Sequence, residues 1–396
     1  MRGERSREHT RLLNRTRVIA HEAGVPSLHS VNDRVVKGPI QGNRFLVLRL
    51  GAIGDVLRVL PAVRRLRRSI TDAHIGWAIE SRAYPVVAGN PIVNRFHVID
   101  RGKLDAGTWS ALRETRRALR EIRAADYDVV LDFHGRLKSG IVSRLSGVSQ
   151  RVGFSRADAT EGNHLFNNVH VQLADTWENR VLRFLHLLGP LGVDTSYDPG
   201  DHGIYLDPEV RRSAAAWYET ANSPAVAAYP GTSIPRIRER WPEKKWIDLL
   251  RRLGRSRVSS VVFWGPDEAE LASAIVEGSG PHCSLAPATT LPEMMAMLAC
   301  FRTFIGSDTA ATHMAWLQGV PTAVFIGPKP PRTASPLAPV PSYILRAEEY
   351  FERGERPGRQ PAELISAVPV GEALEAVEQL LSAGRLRATQ RSSKGA

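Results

Sequence analysis

This chain has little thiol chemistry. Its two cysteines, Cys283 and Cys300, have no metal-ligand spacing around them and no nearby partners. That argues against a disulfide-built scaffold and fits a reducing compartment, the cytoplasm. The 12 histidines form no H-x-x-x-H or similar constellation, so a metal-free mechanism is the expectation. Neither a P-loop nor a G-x-S-x-G elbow is present, which removes two large classes of hydrolase. Long apolar runs are missing too. The best membrane candidate, 314–328, is too short to span and is broken by Gln318, Gly319 and Pro321. The Arg-rich first 42 residues contain no apolar stretch of signal-peptide length. A soluble protein, or one bound at a membrane surface, is expected.

What is present is length and positive charge. A chain of 396 residues exceeds one hydrophobic core and suits two domains. The net charge of +12 favours polyanions: nucleic acid, anionic lipid or a phosphorylated glycolipid. Much of it lies in the runs R-R-L-R-R at 64–68 and R-E-T-R-R-A-L-R at 113–120. Each run reads equally as a solvated helix face. Nucleic-acid binding rests on charge alone, without aromatic interleaving or a known motif, so no specific nucleic-acid partner is expected.

Residues 1–42 read as a flexible basic extension. Strands and helices then alternate. Strands are expected at 45–50, 74–79, 96–99 and 128–132, with helices at 55–69, 109–125 and 176–188. The turn-rich D-T-S-Y-D-P-G-D-H-G at 194–203 marks a boundary. Beyond it come strands at 225–229, 258–264, 282–285, 303–306 and 322–327. Helices are expected at 242–253, 266–276, 290–300, 311–317 and 372–381, and Thr290 with Glu293 forms a capping box. Such alternation implies parallel sheets covered by helices. The expected domains are 43–200 and 201–370, both Rossmann-like, with 371–396 as a terminal helix and tail. Ligands of such sheets bind outside the carboxyl ends of the strands.

Three motifs stand at strand ends. Gly51-Ala52-Ile53-Gly54-Asp55 follows a strand and opens a helix, where glycines admit a ligand and free N–H groups attract anions. Asp55 reads two ways: a helix-start charge, or a cleft carboxylate able to take a proton from an attacking hydroxyl. Ser307-Asp308-Thr309-Ala310-Ala311-Thr312-His313 offers small residues and hydroxyls suited to a diphosphate. Asp308 reads as an N-cap or as an acceptor for sugar hydroxyls, and His313 as a packed core histidine. Pro230-Gly231-Thr232-Ser233, with Arg236, Arg238 and Arg240, reads as a phosphate clamp or a plain basic loop. Asp126-Tyr127-Asp128 has the D-x-D form of metal-dependent transferases but opens a strand, the wrong end for chemistry, and reads as solvated.

Together these elements resemble glycosyltransferase family 9, the ADP-heptose:lipopolysaccharide heptosyltransferases. The resemblance lies in I-G-D-V-L-R-V-L-P at 53–61, H-G-R-L-K-S at 134–139, P-G-T-S … R-E-R-W-P at 230–242, D-T-A-A-T-H at 308–313, G-V-P at 319–321 and I-G-P-K-P-P at 326–331. It covers roughly residues 43–380. The departures are Ala310 in place of the family's Gly, Lys329-Pro330 in place of T-D, Arg58 where His is common, and a lengthened phosphate loop.

The resemblance implies an α/β, GT-B fold of two Rossmann-like domains about a cleft. It also implies an inverting, metal-independent transfer that needs no cofactor beyond the nucleotide sugar, ADP-heptose, as co-substrate. By it, Asp55 is the catalytic base. Thr232, Ser233, Arg240, Thr309 and Ala310 hold the donor diphosphate. Asp308 and His313 serve the donor sugar, and Glu268 and Thr289 the nucleoside. Gly54, Arg58 and Lys138 belong to the acceptor side. The acceptor would be a lipopolysaccharide core or another anionic glycolipid, reached from the cytoplasmic face of an anionic membrane. A different sugar or acceptor on the same fold, or a nucleotide-sugar binder without turnover, are the alternatives.

Overall fold

A computed structural model describes residues 40–232, 240–327, 330–346 and 365–392. The expected extension falls almost wholly outside these. The first half runs β1 (Arg44–Leu48), α1 (Ile53–Ser69), β2 (His74–Glu80), β3 (Arg95–Ile99), α2 (Arg101–Asp105), α3 (Thr108–Ala124), β4 (Val129–Asp132), α4 (Leu137–Leu145), β5 (Gln150–Phe154), β6 (Val169–Val171) and α5 (Arg180–His186). The second runs α6 (Pro208–Thr220), β7 (Val226–Tyr229), α7 (Glu243–Arg255), β8 (Ser260–Val262), α8 (Ala269–Ser279), β9 (Cys283–Leu285), α9 (Leu291–Leu298), β10 (Thr303–Ser307), α10 (Ala310–Trp316), β11 (Thr322–Phe325), β12 (Ser342–Leu345) and α11 (Val370–Ser392).

The strands form two six-stranded sheets, ordered β3-β2-β1-β4-β5-β6 and β12-β11-β10-β7-β8-β9. Every pairing is parallel. Numbered within its own half, each sheet has the same order, 3-2-1-4-5-6. The order reverses between β1 and β4 in one sheet and between β7 and β10 in the other. The carboxyl ends flanking such a reversal form a ligand crevice, and the three strand-end motifs follow β1, β7 and β10.

Both faces of each sheet are buried, as parallel sheets require. In β1, Phe45 and Val47 face one cluster with Val56, Leu60 and Val63 of α1. Leu46 and Leu48 face another, with Leu119 and Ile122 of α3 and Val142 of α4. The first cluster continues into the second half through Met314 and Trp316 of α10. The outer face of the second sheet packs Val226 and Ile305 against Trp246 and Leu249 of α7 and Val377 and Leu380 of α11.

Several expectations need correcting. The helix expected at 176–188 is only Arg180–His186. Asp175 Oδ1 accepts from the Trp177 amide at 2.8 Å, turning the chain, and Asn179 Oδ1 caps Val181 N at 3.0 Å. The strand expected at 258–264 narrows to Ser260–Val262. Asp126-Tyr127-Asp128 is solvated only in part: Asp126 is exposed and Asp128 half-buried, but Tyr127 is buried with its hydroxyl 2.7 Å from His97 Nε2. Asp128 Oδ2 accepts from the amides of Asn43 and Arg44 at 3.0 and 2.9 Å, pinning the starts of β1 and β4. Strands β5, β6 and β12 and helices α2, α4 and α6 escaped the sequence reading; short segments such as Q-R-V-G-F and V-H-V lack a periodic signature.

The two basic runs also part company. Arg64, Arg65 and Arg68 of α1 are ion-paired to the boundary segment: Arg64–Asp201 at 2.6 Å, Arg65–Asp194 at 2.7 Å, and Arg68 to Asp198 and Asp201 at 2.8 and 2.7 Å. These three guanidinium groups tie helix to linker, so they are neither a free polyanion surface nor a merely solvated face.

Candidate active site

Asp55 sits in the first turn of α1, just past the end of β1. Its carboxylate does more than complement a helix start. Oδ2 meets Arg49 Nη2, and Oδ1 meets Arg58 Nη2 at 2.5 Å and Arg180 Nη1 at 2.9 Å. Burial alone would raise the Asp55 pKa, but Arg49, Arg58 and Arg180 together hold the carboxyl far below the usual range. The arginines feel the reverse: burial lowers the Arg49 pKa to about 10 against the pull of Asp55, leaving it charged at neutral pH. Arg49 also donates to Phe133 O at 2.9 Å. The side chains of Arg49 and Arg58 are 7% and 9% exposed, that of Arg180 37%, so Arg180 covers the open side.

Beside this cluster, the end of β4 carries a network that sequence reading missed. Buried Asp132 accepts from Ser139 Oγ at 3.0 Å, Asn163 Nδ2 at 2.7 Å and Asn167 Nδ2 at 3.3 Å. It also takes the amides of His134 and Gly135 at 3.1 and 3.2 Å, which shapes the H-G-R-L-K-S turn. The His134 ring is held neutral, its pKa lowered to about 3 by burial and by the Arg49 and Lys138 charges. Lys138 Nζ lies 2.7 Å from Glu80 Oε1 at the end of β2.

In the second half, Thr232 follows β7 and is buried. Its hydroxyl accepts from Arg240 Nε at 3.2 Å, its carbonyl accepts from Arg240 Nη2 at 3.1 Å, and Glu268 Oε1 lies 3.3 Å from the same Nη2. Glu268 Oε2 accepts from the Gly265 amide at 3.0 Å, so this carboxylate backs Arg240 from beneath. A side chain at Gly231 would strike Glu268 2.0 Å away, which explains the glycine. Ser233, Arg236 and Arg238 lie outside the described residues. Thr289 is half-buried in the loop before α9.

After β10, Asp308 Oδ1 lies 3.4 Å from His313 Nε2. Trp316 Nε1 donates to His313 Nδ1 at 2.9 Å, so a neutral ring carries its proton on Nε2, facing Asp308. Burial, with Arg58 nearby, lowers the His313 pKa to about 4, although Asp308 pulls upward. His313 is thus a packed histidine that also orients Asp308. The buried hydroxyl of Thr309, at the start of α10, has no hydrogen-bond partner among the described residues.

The two halves meet at these motifs. A Cβ on Gly54 would lie 2.8 Å from His313 Cδ2 and 3.4 Å from Ala310 Cα. Asn179 Nδ2 donates to Ser335 O at 2.9 Å, and Arg332 pairs with Asp175 at 3.1 Å, bridging the halves elsewhere. The structure therefore gathers Gly54, Asp55, Arg58, Asp308, Ala310 and His313. Thr232, Arg240 and Glu268 form a second group at the end of β7. Arg49 and Arg180 were not singled out in the sequence: Arg49 lies two residues before Gly51, and Arg180 reaches Asp55 only through the tertiary fold.

Two parallel Rossmann sheets meeting at their reversal points define a GT-B glycosyltransferase fold. The family model of glycosyltransferase family 9 (heptosyltransferase) matches residues 115–355, more than half the chain. The chain belongs to that family. Asp55 precedes the matched span. The chain is 27% identical over 295 residues to lipopolysaccharide heptosyltransferase 1 of Pseudomonas aeruginosa, covering 73% of this chain and 79% of that protein. It is 24% identical over 343 residues to lipopolysaccharide heptosyltransferase 3 of Escherichia coli, covering 83% and 96%. Among solved structures, the family 9 glycosyl transferase of Veillonella parvula superposes with a TM-score of 0.73 at 22% identity, covering 87% of this chain and 99% of that one. An E. coli heptosyltransferase solved with ADP gives 0.70 at 21%, covering 85% and 99%. These likenesses establish the fold, and the family makes the chain a glycosyltransferase. No described helix is long and apolar enough to cross a membrane.

Proposed function

We propose that the chain moves a heptose from ADP-heptose to a lipopolysaccharide-core or related anionic glycolipid acceptor, with inversion and without a metal, and that Asp55 is the base. The observation that carries this reading is the Asp55 carboxylate beside the Asp308–His313 turn of the other half. The names of the relatives support the substrates: they are lipopolysaccharide heptosyltransferases, and E. coli relatives were solved with ADP and with ADP-2-deoxy-2-fluoro heptose.

The acceptor hydroxyl gives its proton to Asp55 while its oxygen bonds to the anomeric carbon. The bond from that carbon to the diphosphate oxygen breaks on the opposite face, and its electron pair leaves with ADP. Arg240 and the hydroxyls of Thr232 and Thr309 stabilise the growing charge, with Ser233 and the Ala310 amide completing the set. Asp308, oriented by His313, takes the sugar hydroxyls. Glu268 and Thr289 serve the nucleoside side, Glu268 in part by steadying Arg240. Gly54, Arg58 and Lys138 stand on the acceptor side. On this reading residues 43–200 form the acceptor domain, residues 201–370 the donor domain, and 371–396 the terminal helix and tail.

An ion-paired Asp55 is a weak base as it stands. Arg180, the most exposed of its three partners, is the one an anionic acceptor can draw away. Removing that charge raises the basicity of the carboxylate at the moment the hydroxyl arrives. The site works from the cytoplasmic face of the membrane that holds the acceptor.

A thermal-shift panel tests the donor. ADP-heptose should raise the melting midpoint more than UDP or GDP sugars, because only a ligand of the folded state does so. A larger shift with a UDP or GDP sugar would contradict the donor assignment.

A further inference from the structure

Of the eight large apolar side chains exposed among the described residues, five lie on just two helices: Trp109 and Leu112 on α3, and Leu137, Ile141 and Leu145 on α4. Isolated exposed apolar residues are ordinary, but a cluster is not. Trp109 is 84% exposed at the start of α3. The two helices are neighbours: Arg123 Nε of α3 donates to Leu145 O of α4 at 2.8 Å, and both pack onto the same face of the first sheet.

The same face is basic. Arg113, Arg116 and Arg120 follow Trp109 and Leu112 along the exposed side of α3. None of the three is ion-paired to another described residue, whereas their neighbour Arg117 is held by Glu114 and Glu121 at 2.6 Å each. Such a stripe, tryptophan and leucine edged by arginines, matches the headgroup boundary of a bilayer. The surface also lies where such docking is useful. Helices α3 and α4 both start at the carboxyl edge of the sheet. Lys138 of α4 and Arg101 of α2 converge on Glu80 at 2.7 and 3.7 Å, and Glu80 stands 3.7 Å from where a Cβ on Gly51 would be.

We infer that the exposed α3–α4 face docks on a bilayer containing anionic phospholipid, holding the Asp55 end of the cleft toward a lipid-linked acceptor. Charge complementarity selects this occupant. Residues 1–39 carry more Arg and Lys than Asp and Glu, so they are a poor cover for an arginine stripe. The orientation toward the acceptor rests on the proposed function; the docking itself does not.

The test is vesicle flotation of the full chain. The expected result is binding to phosphatidylcholine vesicles containing about one-third phosphatidylglycerol, at low to physiological salt, and little binding to phosphatidylcholine alone. Arg113→Glu/Arg116→Glu/Arg120→Glu should weaken partition on the order of a hundredfold, from roughly fivefold per basic residue near an anionic surface. Trp109→Ser/Leu112→Ser should weaken it by about tenfold at the same charge. Both variants should turn over a delipidated, water-soluble acceptor fragment at the parental rate while losing rate on acceptor in vesicles. Parental flotation by both variants, equal binding to neutral vesicles, or no flotation of the parent would overturn the docking. Failure of the parent on either acceptor, with flotation as expected, would instead count against the proposed function.

Discussion

The two sheets share a strand order, yet their reversal points are built as electrostatic opposites. At the first, one carboxylate is enclosed by Arg49, Arg58 and Arg180. At the second, one guanidinium, Arg240, rests on the Glu268 carboxylate and a threonine hydroxyl. Topology supplies the place and side chains supply the chemistry. In each half the key charge is compensated before any substrate arrives, so neither site carries a bare buried ion. The compensation also differs in reversibility. Glu268 is buried and fixed by the Gly265 amide, whereas Arg180 stands partly in solvent. The Arg240 site is pre-set, and the Asp55 site is adjustable.

Beyond Asp55 itself, the contrast breaks hardest at Arg240. Arg240→Met should lower kcat/KM by about a hundredfold to a thousandfold, the usual cost of removing one donor to a developing oxyanion. A loss of only a few-fold in a steady-state assay would mean that the diphosphate is held elsewhere. The next largest effect is expected where the halves touch. Gly54→Ala places a methyl 2.8 Å from His313 Cδ2, and that ring is fixed by Trp316 and Asp308, so it cannot swing aside. Transfer should fall about tenfold, because small misplacements at a reacting centre are costly. Calorimetry should show a smaller change in stability, and an unchanged rate would remove the contact between the halves from the mechanism.

The smallest effect at neutral pH is on stability. His97 and His313 are held neutral in the fold, each with its pKa lowered to about 4, chiefly by burial. An unfolded histidine takes up a proton as pH falls through about 6.5, while these rings wait until about 4. Between those values the unfolded chain binds more protons, so stability declines as pH falls. For fully buried His313 the loss is on the order of 3 kcal/mol by pH 4. Melting midpoints measured from pH 7 to 4.5 should fall, and His313→Gln should flatten the slope.

Much of this was legible in the sequence, because a buried strand followed by glycines, a small-residue turn and an amphipathic helix is a local pattern. Asp55, Thr232 and Asp308 sit in the segments that follow strand ends, as that pattern requires, and His313 lies in the helix that follows β10. What stayed hidden was nonlocal. Nothing near Arg180 signals that it reaches a carboxylate 125 positions away. The aspartates at 194, 198 and 201 looked like turn residues, yet they pair with one basic run, while Arg113, Arg116 and Arg120 of the other have no ion-pair partner among the described residues. The Asp132 network joins Ser139, Asn163 and Asn167 across a strand too short to announce itself.

The most direct test of the account is Asp55→Asn, which keeps the shape of the side chain and removes its capacity to accept a proton. Donor affinity by calorimetry and single-turnover transfer should be measured on the same preparation. The account predicts ADP-heptose binding within a few-fold of the parent and transfer reduced by about four orders of magnitude, in the range seen when a catalytic base fails. Transfer at a parental rate with saturating acceptor would contradict it.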